Sequence, residues 1–160
     1  MQLELDSIKI ALMNYFEGSW DSNAASMSDL DKVAIGLDDQ YTAVTKSEIL
    51  SIIQTSPSLV VPDNSTFGHQ LSDCDDYALQ LKALTVALYR QKAWQGAQVS
   101  PPAIGMVITQ SHAFNFIIWD KLGEATAAII DPSEQTPVFY DVLADGRHTL
   151  GTFPIQLIYI

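Results

Sequence analysis

The residues that this sequence lacks already limit the kind of protein it can be. It has a single cysteine, Cys74, so it can form no internal disulfide and no multi-cysteine zinc site. Basic residues are also scarce: eight Lys and Arg stand against 19 Asp and Glu, which gives a formal net charge of −11. Without a basic stripe we expect no nucleic acid partner, because phosphate backbones are bound by clustered cations.

Long hydrophobic runs are missing as well. No apolar run reaches the roughly 18 residues needed to cross a bilayer, so we expect no membrane partner. The N-terminus lacks the basic-then-apolar layout of a secretion signal. We therefore expect a soluble protein that is cytoplasmic as synthesised, and a signal-independent route of secretion stays open.

The length and the apolar content favour one domain. A chain of 160 residues, 48% of them hydrophobic, can bury roughly 70% of its unfolded surface in a single core. We expect one domain over residues 1–160, with a helical N-terminal part over 1–66 and a helix-and-sheet part over 67–160. No motif bears on the oligomeric state.

Apolar periodicity predicts helices first and strands afterwards. Helical spacing occurs over 3–16, over 45–54, where Thr45 or Ser47 can cap the helix, and in the segment after Cys74. Segments 103–109, 113–119 and 124–130 are rich in β-branched and aromatic residues, and further strands are expected around 138–142 and 153–160. This order predicts an α+β fold with a central helix packed on an antiparallel sheet.

Cys74 is expected at the N-terminus of the central helix. Ser72 with Asp75, or Asp73 with Asp76, has the spacing of a capping box. A helix N-terminus lowers the pKa of a cysteine and offers amide donors. The neighbouring aspartates oppose this effect and raise the pKa, unless a cation or a histidine neutralises them.

His112 is the candidate for that neutralising group. A four-residue loop over 120–123 would pair Trp119 with Glu124, and the same register places His112 opposite Asp131 on one face of the sheet. Cys74, His112 and Asp131 then have the residue types of a nucleophile, a general base and an orienting carboxylate. Taken singly, each also fits a structural role, as a buried cysteine, a strand-end histidine or a turn aspartate.

Three short strings resemble a known family. They are Asp73-Cys74-Asp75-Asp76-Tyr77-Ala78, Ser111-His112-Ala113-Phe114-Asn115-Phe116 and Ile130-Asp131-Pro132. Over roughly 67–133 the chain resembles papain-like cysteine proteases, namely the C-terminal protease domain of the Marasmius oreades agglutinin and its bacterial relatives, and more distantly the bacterial transglutaminase-like cysteine proteases. The resemblance implies a papain-like fold.

The resemblance also implies roles for particular residues. Cys74 would be the nucleophile and His112 the base of peptide-bond hydrolysis through a thioester. Asp131 would take the third position, where the agglutinin group carries Glu. Asp73 and Asp75 would be metal ligands, with calcium as the possible cofactor.

Other residues receive weaker assignments from the sequence. The stretch before the nucleophile offers Gln70 or His69 as a second oxyanion donor, and Gln70 is the candidate we name as catalytic. Trp20, Trp94 and Trp119 are typical of a core or a cleft wall, and they are given no role.

The leading hypothesis from the sequence is a cysteine-type hydrolase, a peptidase acting on a protein or peptide substrate. A first alternative keeps the fold but transfers the acyl group to an amine, as transglutaminases do. A second alternative is a catalytically inactive cation- or protein-binding module in which the thiol is a spectator. Thiol reactivity separates this last reading from the other two.

Overall fold

The computed structural model describes residues 1–16, 34–35, 38–59, 73–109, 112–134, 136–141 and 155–160. Its helices are α1 (Leu5–Phe16), α2 (Lys46–Thr55) and α3 (Cys74–Trp94), with a 3-10 turn at Pro57–Leu59. Its strands are β1 (Gln2–Glu4), β2 (Ala34–Ile35), β3 (Gln40–Thr42), β4 (Ile104–Thr109), β5 (Ala113–Lys121), β6 (Glu124–Ile130), β7 (Phe139–Tyr140) and β8 (Ile155–Tyr159). No helix in these ranges is both long enough and apolar enough to cross a membrane.

The main sheet has six strands in the order β2-β8-β4-β5-β6-β7. Five of them, β8-β4-β5-β6-β7, are antiparallel to their neighbours, whereas β2 pairs in parallel with β8. Strands β1 and β3 form a separate antiparallel ribbon. Within the first 66 residues, expected to be helical, the described ranges therefore contribute three short strands as well as α1 and α2.

Helices cover both faces of the main sheet. Along β5, Phe116 and Ile118 belong to the core that contains α1, whereas Ile117 belongs to the core that contains α2 and α3. This alternation follows from the two-residue period of a strand. The expected fold class, a papain-like α+β fold with one central helix on an antiparallel sheet, needs correction, because the sheet is mixed and lies between helices.

The N-terminus of α2 is fixed by a capping box. Thr45 Oγ1 accepts a hydrogen bond from the Glu48 amide, and the Glu48 carboxylate accepts one from the Thr45 amide. The same carboxylate binds Lys92 and the hydroxyl of Tyr89, both on α3. The capping box therefore also ties α2 to the long helix that begins at Cys74.

A buried amide joins α3 to the sheet below Cys74. Asn115 on β5 is fully buried, and its Nδ2 donates to Ala78 O on α3 at 2.9 Å and to Gly105 O on β4 at 3.1 Å. Buried amides are retained where their hydrogen bonds are made. This contact lies one helical turn after Cys74 and sets the height of the helix start above the sheet.

The β5–β6 hairpin turns more tightly than the sequence predicts. Lys121 pairs with Glu124, so the loop has two residues, and both have positive φ: 57° at Leu122 and 92° at Gly123. Two left-handed residues are the geometry of a type I′ turn, which matches the twist of the strands. The predicted pairing of Trp119 with Glu124 is wrong by two residues, since Trp119 pairs with Thr126.

Candidate functional site

Cys74 is the first residue of α3, as the capping pattern predicts. The N-cap residue is Asp73, whose backbone is extended, but its side chain makes no capping hydrogen bond. The Cys74 side chain is partly buried against Ala78, Met106 and Ala113. Its Sγ accepts a hydrogen bond from the Ala113 amide at 3.3 Å.

His112 and Asp131 lie in contact although their predicted register is wrong. His112 Nε2 is 2.6 Å from Asp131 Oδ2, and the side chains are 27% and 5% exposed. A register error of two residues keeps every side chain on its predicted face, whereas an error of one would move it to the other face. The two side chains therefore still meet.

Ser133 holds the second oxygen of the same carboxylate. Its amide donates to Asp131 Oδ1 at 2.9 Å, and its hydroxyl donates at 2.5 Å. Burial alone would raise the pKa of Asp131, but the hydrogen bonds from His112 and Ser133 outweigh it and hold the pKa below its ordinary value. The hydrogen bond with Asp131 in turn raises the pKa of His112.

The electrostatic surroundings of Cys74 favour the neutral thiol. Burial raises the pKa of Cys74, and the hydrogen bond from the Ala113 amide only partly opposes that effect. The negative charges of Asp73, Asp75 and Asp131 raise the pKa further. Among the residues that the structure describes, the Ala113 amide is the hydrogen-bond partner of the thiol, and the His112 ring is not. The raised pKa thus favours the protonated thiol over the thiolate.

Three carboxylates surround the start of α3. Asp73, Asp75 and Asp76 are all exposed, and each offers a ligand oxygen within 4.8 Å of the others. A hydrogen bond between their side chains lowers the pKa of Asp73 and raises that of Asp75. The negative charges of Asp73 and Asp76 also raise the pKa of Asp75, as expected for carboxylates that repel one another.

The structure brings most of the predicted site residues together, and it adds two that the sequence analysis did not assign. Gln70, the candidate oxyanion donor, lies outside the described residues, as do His69 and Trp20. Asp76 lies beside the predicted ligands Asp73 and Asp75. Because Asp73 and Asp76 are three residues apart, they lie on the same side of the first helical turn, and this spacing could have indicated Asp76 as a further ligand. Ser133 follows Asp131 by two residues, the spacing at which an aspartate commonly accepts a backbone hydrogen bond.

The fold that surrounds this site has counterparts among solved structures. No family model matches the chain, and no curated protein sequence matches it. The complex of PSL1a with E64 is similar with a TM-score of 0.65 and 16% identity, over 99% of this chain and 51% of that chain. The Polyporus squamosus lectin, solved bound to the human-type influenza-binding epitope Neu5Aca2-6Galb1-4GlcNAc, has a TM-score of 0.60 and 15% identity, over 99% of this chain and 49% of that chain. The chain thus spans about half the length of these neighbours, and at such identities the likeness concerns the fold alone.

These comparisons correct the family and the enzyme class expected from the sequence. The named neighbour is described as a lectin, whereas the three strings suggested papain-like cysteine proteases. The assignments as a papain-like fold, a hydrolase, a thiol protease and a transglutaminase-like enzyme are corrected accordingly.

Proposed function

We propose that the chain is a catalytically inactive binding module and that the carboxylates at the start of α3 bind a calcium ion. The observation that carries this proposal is the proximity of Asp73, Asp75 and Asp76, whose ligand oxygens lie within 4.8 Å of one another. Calcium takes six to eight oxygen ligands at about 2.3–2.6 Å, and it accepts carboxylates in flexible arrangements. Three carboxylates can supply up to half a dozen of these oxygens, and water can complete the shell.

The mutual repulsion of the carboxylates supports the proposal. The side-chain hydrogen bond with Asp73 and the negative charges of Asp73 and Asp76 raise the pKa of Asp75. A divalent cation between the carboxylates would relieve this repulsion.

The proposal is tested by calorimetric titration of calcium into the wild type, Asp75→Asn and Asp6→Asn. Asp6 is the matched control, because it is an exposed aspartate in the first turn of α1, outside the cluster. We expect Asp75→Asn to weaken calcium binding by at least about tenfold, since affinity follows the number of charged ligands, and Asp6→Asn to leave it unchanged. An absence of binding to the wild type, or equal weakening in both variants, would contradict the proposal.

A glycan is the second candidate ligand. The Polyporus squamosus lectin was solved with a sialylated trisaccharide, and this chain matches 49% of that protein. The same titration with this trisaccharide, in calcium and then in a chelator, separates three outcomes. Glycan binding that requires calcium would assign both ligands to one site. Glycan binding in both conditions would give the glycan a separate site. No glycan binding would leave calcium as the ligand.

A further inference from the structure

A cleft of about 440 Å³ opens where the start of α2 meets the end of β5. We call it the Trp119 cleft, and it is lined by Met1, residues 43–47, Trp119 and Asp120. The sequence assigned Trp119 to a core or a cleft wall, and the structure places it in this wall. Trp119 follows Ala113, the residue that contacts Cys74, by six positions along β5, which is roughly 20 Å at the rise of a strand. The cleft is therefore separate from the carboxylates at the start of α3.

An ammonium group already lies on the indole face of Trp119. Lys46 Nζ is 4.1 Å from the centroid of the Trp119 ring and 5.5 Å from that of the Phe139 ring, and it forms an ion pair with Asp141. Aromatic faces attract ammonium ions at these distances, and proteins use them to recognise such ligands. The arrangement of Trp119, Phe139 and Asp141 thus fits the ammonium group of a lysine.

The position of Lys46 in its helix does not explain this contact. Lys46 is the first residue of α2, where the positive end of the helix dipole disfavours a cation. Its side chain is 24% exposed, so it can turn into solvent without opening the core. The ring and carboxylate contacts therefore outweigh an unfavourable position, and an ammonium group from another molecule can replace Lys46 at little cost to the fold.

The charge around the cleft favours a cationic ligand. Asp120 and Asp141 are both exposed, and Asp120 uses one oxygen, Oδ1, to accept a hydrogen bond from the Gly123 amide at 2.7 Å. These two carboxylates stand against one ammonium group, that of Lys46. The formal net charge of −11 on the whole chain adds to this field, which attracts cations and repels anions.

We propose that the Trp119 cleft binds a lysine side chain from a basic peptide segment of another protein, and that Lys46 occupies the same place in the free chain as an internal competitor. The incoming ammonium group takes the position of Lys46 Nζ between Trp119, Phe139 and Asp141. Its four-carbon stem lies along the apolar lining at 43–44. The volume of the cleft is typical of ligands larger than one side chain, so the residues beside the bound lysine also find room.

The role of Lys46 as a competitor leads to an unusual expectation. An internal group that fills a site about nine-tenths of the time weakens the apparent affinity of an external ligand about tenfold. Removing the Lys46 ammonium should therefore strengthen the binding of a basic peptide. A lysine with a purely structural role in the cleft would not have this effect.

The proposal is tested by calorimetric titration of pentalysine at about 0.15 M salt, which screens long-range attraction, and in a chelator, so that the result is independent of the calcium proposal. We expect Lys46→Gln to bind pentalysine about tenfold more tightly than the wild type. Lys121→Gln is the matched control, because it removes the same charge from an exposed lysine at the end of β5. We expect it to change the affinity by less than about twofold.

Two further titrations examine the contacts of the bound lysine, both in the Lys46→Gln background. Asp141→Asn removes a carboxylate that is 48% exposed, so the fold should tolerate it, and we expect binding to weaken about fivefold. A peptide of five ε-acetyllysines carries no side-chain charge, and we expect it to bind at least about tenfold more weakly than pentalysine. Unchanged affinity in both titrations would overturn the proposed contacts.

Nuclear magnetic resonance identifies the indole that meets the ligand. In Lys46→Gln, pentalysine should shift the indole N–H signal of Trp119, which Trp119→Phe assigns. The signal of Trp94 should stay in place; this residue is 81% exposed, which corrects its expected position in a core or a cleft wall. A shift of the Trp94 signal alone, or equal affinities of Lys46→Gln and Lys121→Gln, would overturn the proposal. Equal affinity of Lys46→Gln for Nα-acetyl-lysine amide and for pentalysine would assign the cleft to free amines and overturn the peptide partner.

Discussion

His112 Nε2 lies 2.6 Å from Asp131 Oδ2, and Asp131 keeps its other oxygen on Ser133. The pair stabilises the folded chain in a pH window that its pKa shifts define. The pKa of Asp131 is lowered in the folded state, so its contribution is present above the unfolded value of about 3.9 and is lost as the pH falls through the folded value. The pKa of His112 is raised, so its contribution is present below about 6.5 and is lost as the pH rises through the folded value.

We therefore expect Asp131→Asn to lower the free energy of unfolding by about 2 kcal/mol near pH 5.5, because a charged hydrogen bond is lost. The loss should be smaller at alkaline pH, because the contribution of His112 is lost as the pH rises through its raised folded-state pKa. Urea denaturation at the two pH values measures this difference. Glu124→Gln, which neutralises an exposed carboxylate at the start of β6, the strand that ends just before Asp131, is the control and should change little. Equal losses at both pH values would contradict the assigned ion pair.

The backbone of Leu122 lies in the left-handed region, which favours glycine and asparagine over leucine. Its φ is 57° and its side chain is fully exposed, so the leucine gains no packing in return for the strain. We expect Leu122→Asn to raise the free energy of unfolding by about 0.5–1 kcal/mol, because asparagine tolerates this conformation in type I′ turns. Leu122→Ala is the control, since alanine keeps the strain. Chemical denaturation that ranks alanine above asparagine would show that the turn geometry is different.

Although Thr45 is exposed, we expect its side chain to contribute measurably to the free energy of unfolding. Thr45→Ala removes the side-chain oxygen that accepts from the Glu48 amide, and we expect it to lower the free energy of unfolding by about 1 kcal/mol. Thr55→Ala makes the same exchange at the other end of α2, where the hydroxyl only bonds back to Ser51 O, and should cost much less. The comparison uses urea denaturation of both variants, and equal losses would contradict the capping role.

The sequence predicted the long elements well because their signals are local. The helix after Cys74 and the strands that became β4, β5 and β6 carry strong periodicity, and the structure has them within a few residues of their predicted bounds. Strands β1 and β3 have three residues each and exist only because they pair with each other, which no local pattern reveals. The mixed sheet likewise depends on a two-residue strand, β2.

The candidate site was predictable in part. Residue types and side-chain parity were enough to bring His112 to Asp131, although the turn at Leu122 shifted the pairing by two residues. The direction of the Cys74 pKa shift was not predictable from the sequence. It depends on how deeply the thiol is buried and on the combined charge of three nearby carboxylates. The sequence set the effect of the helix N-terminus against that of the aspartates without deciding between them, whereas in the structure burial and the nearby carboxylates raise the pKa of Cys74.

The most direct test of this account is the rate at which iodoacetamide alkylates Cys74 as a function of pH, measured by intact mass with and without calcium, in the wild type and in His112→Ala. The single cysteine makes the reading unambiguous. We expect slow labelling below pH 7 in both proteins and an apparent thiol pKa above the ordinary value of about 8.5. Calcium should lower that pKa, because it neutralises the aspartates that help to raise it. Rapid labelling below pH 7 that disappears in His112→Ala would show an activated thiolate, and it would contradict the account of an inactive binding module.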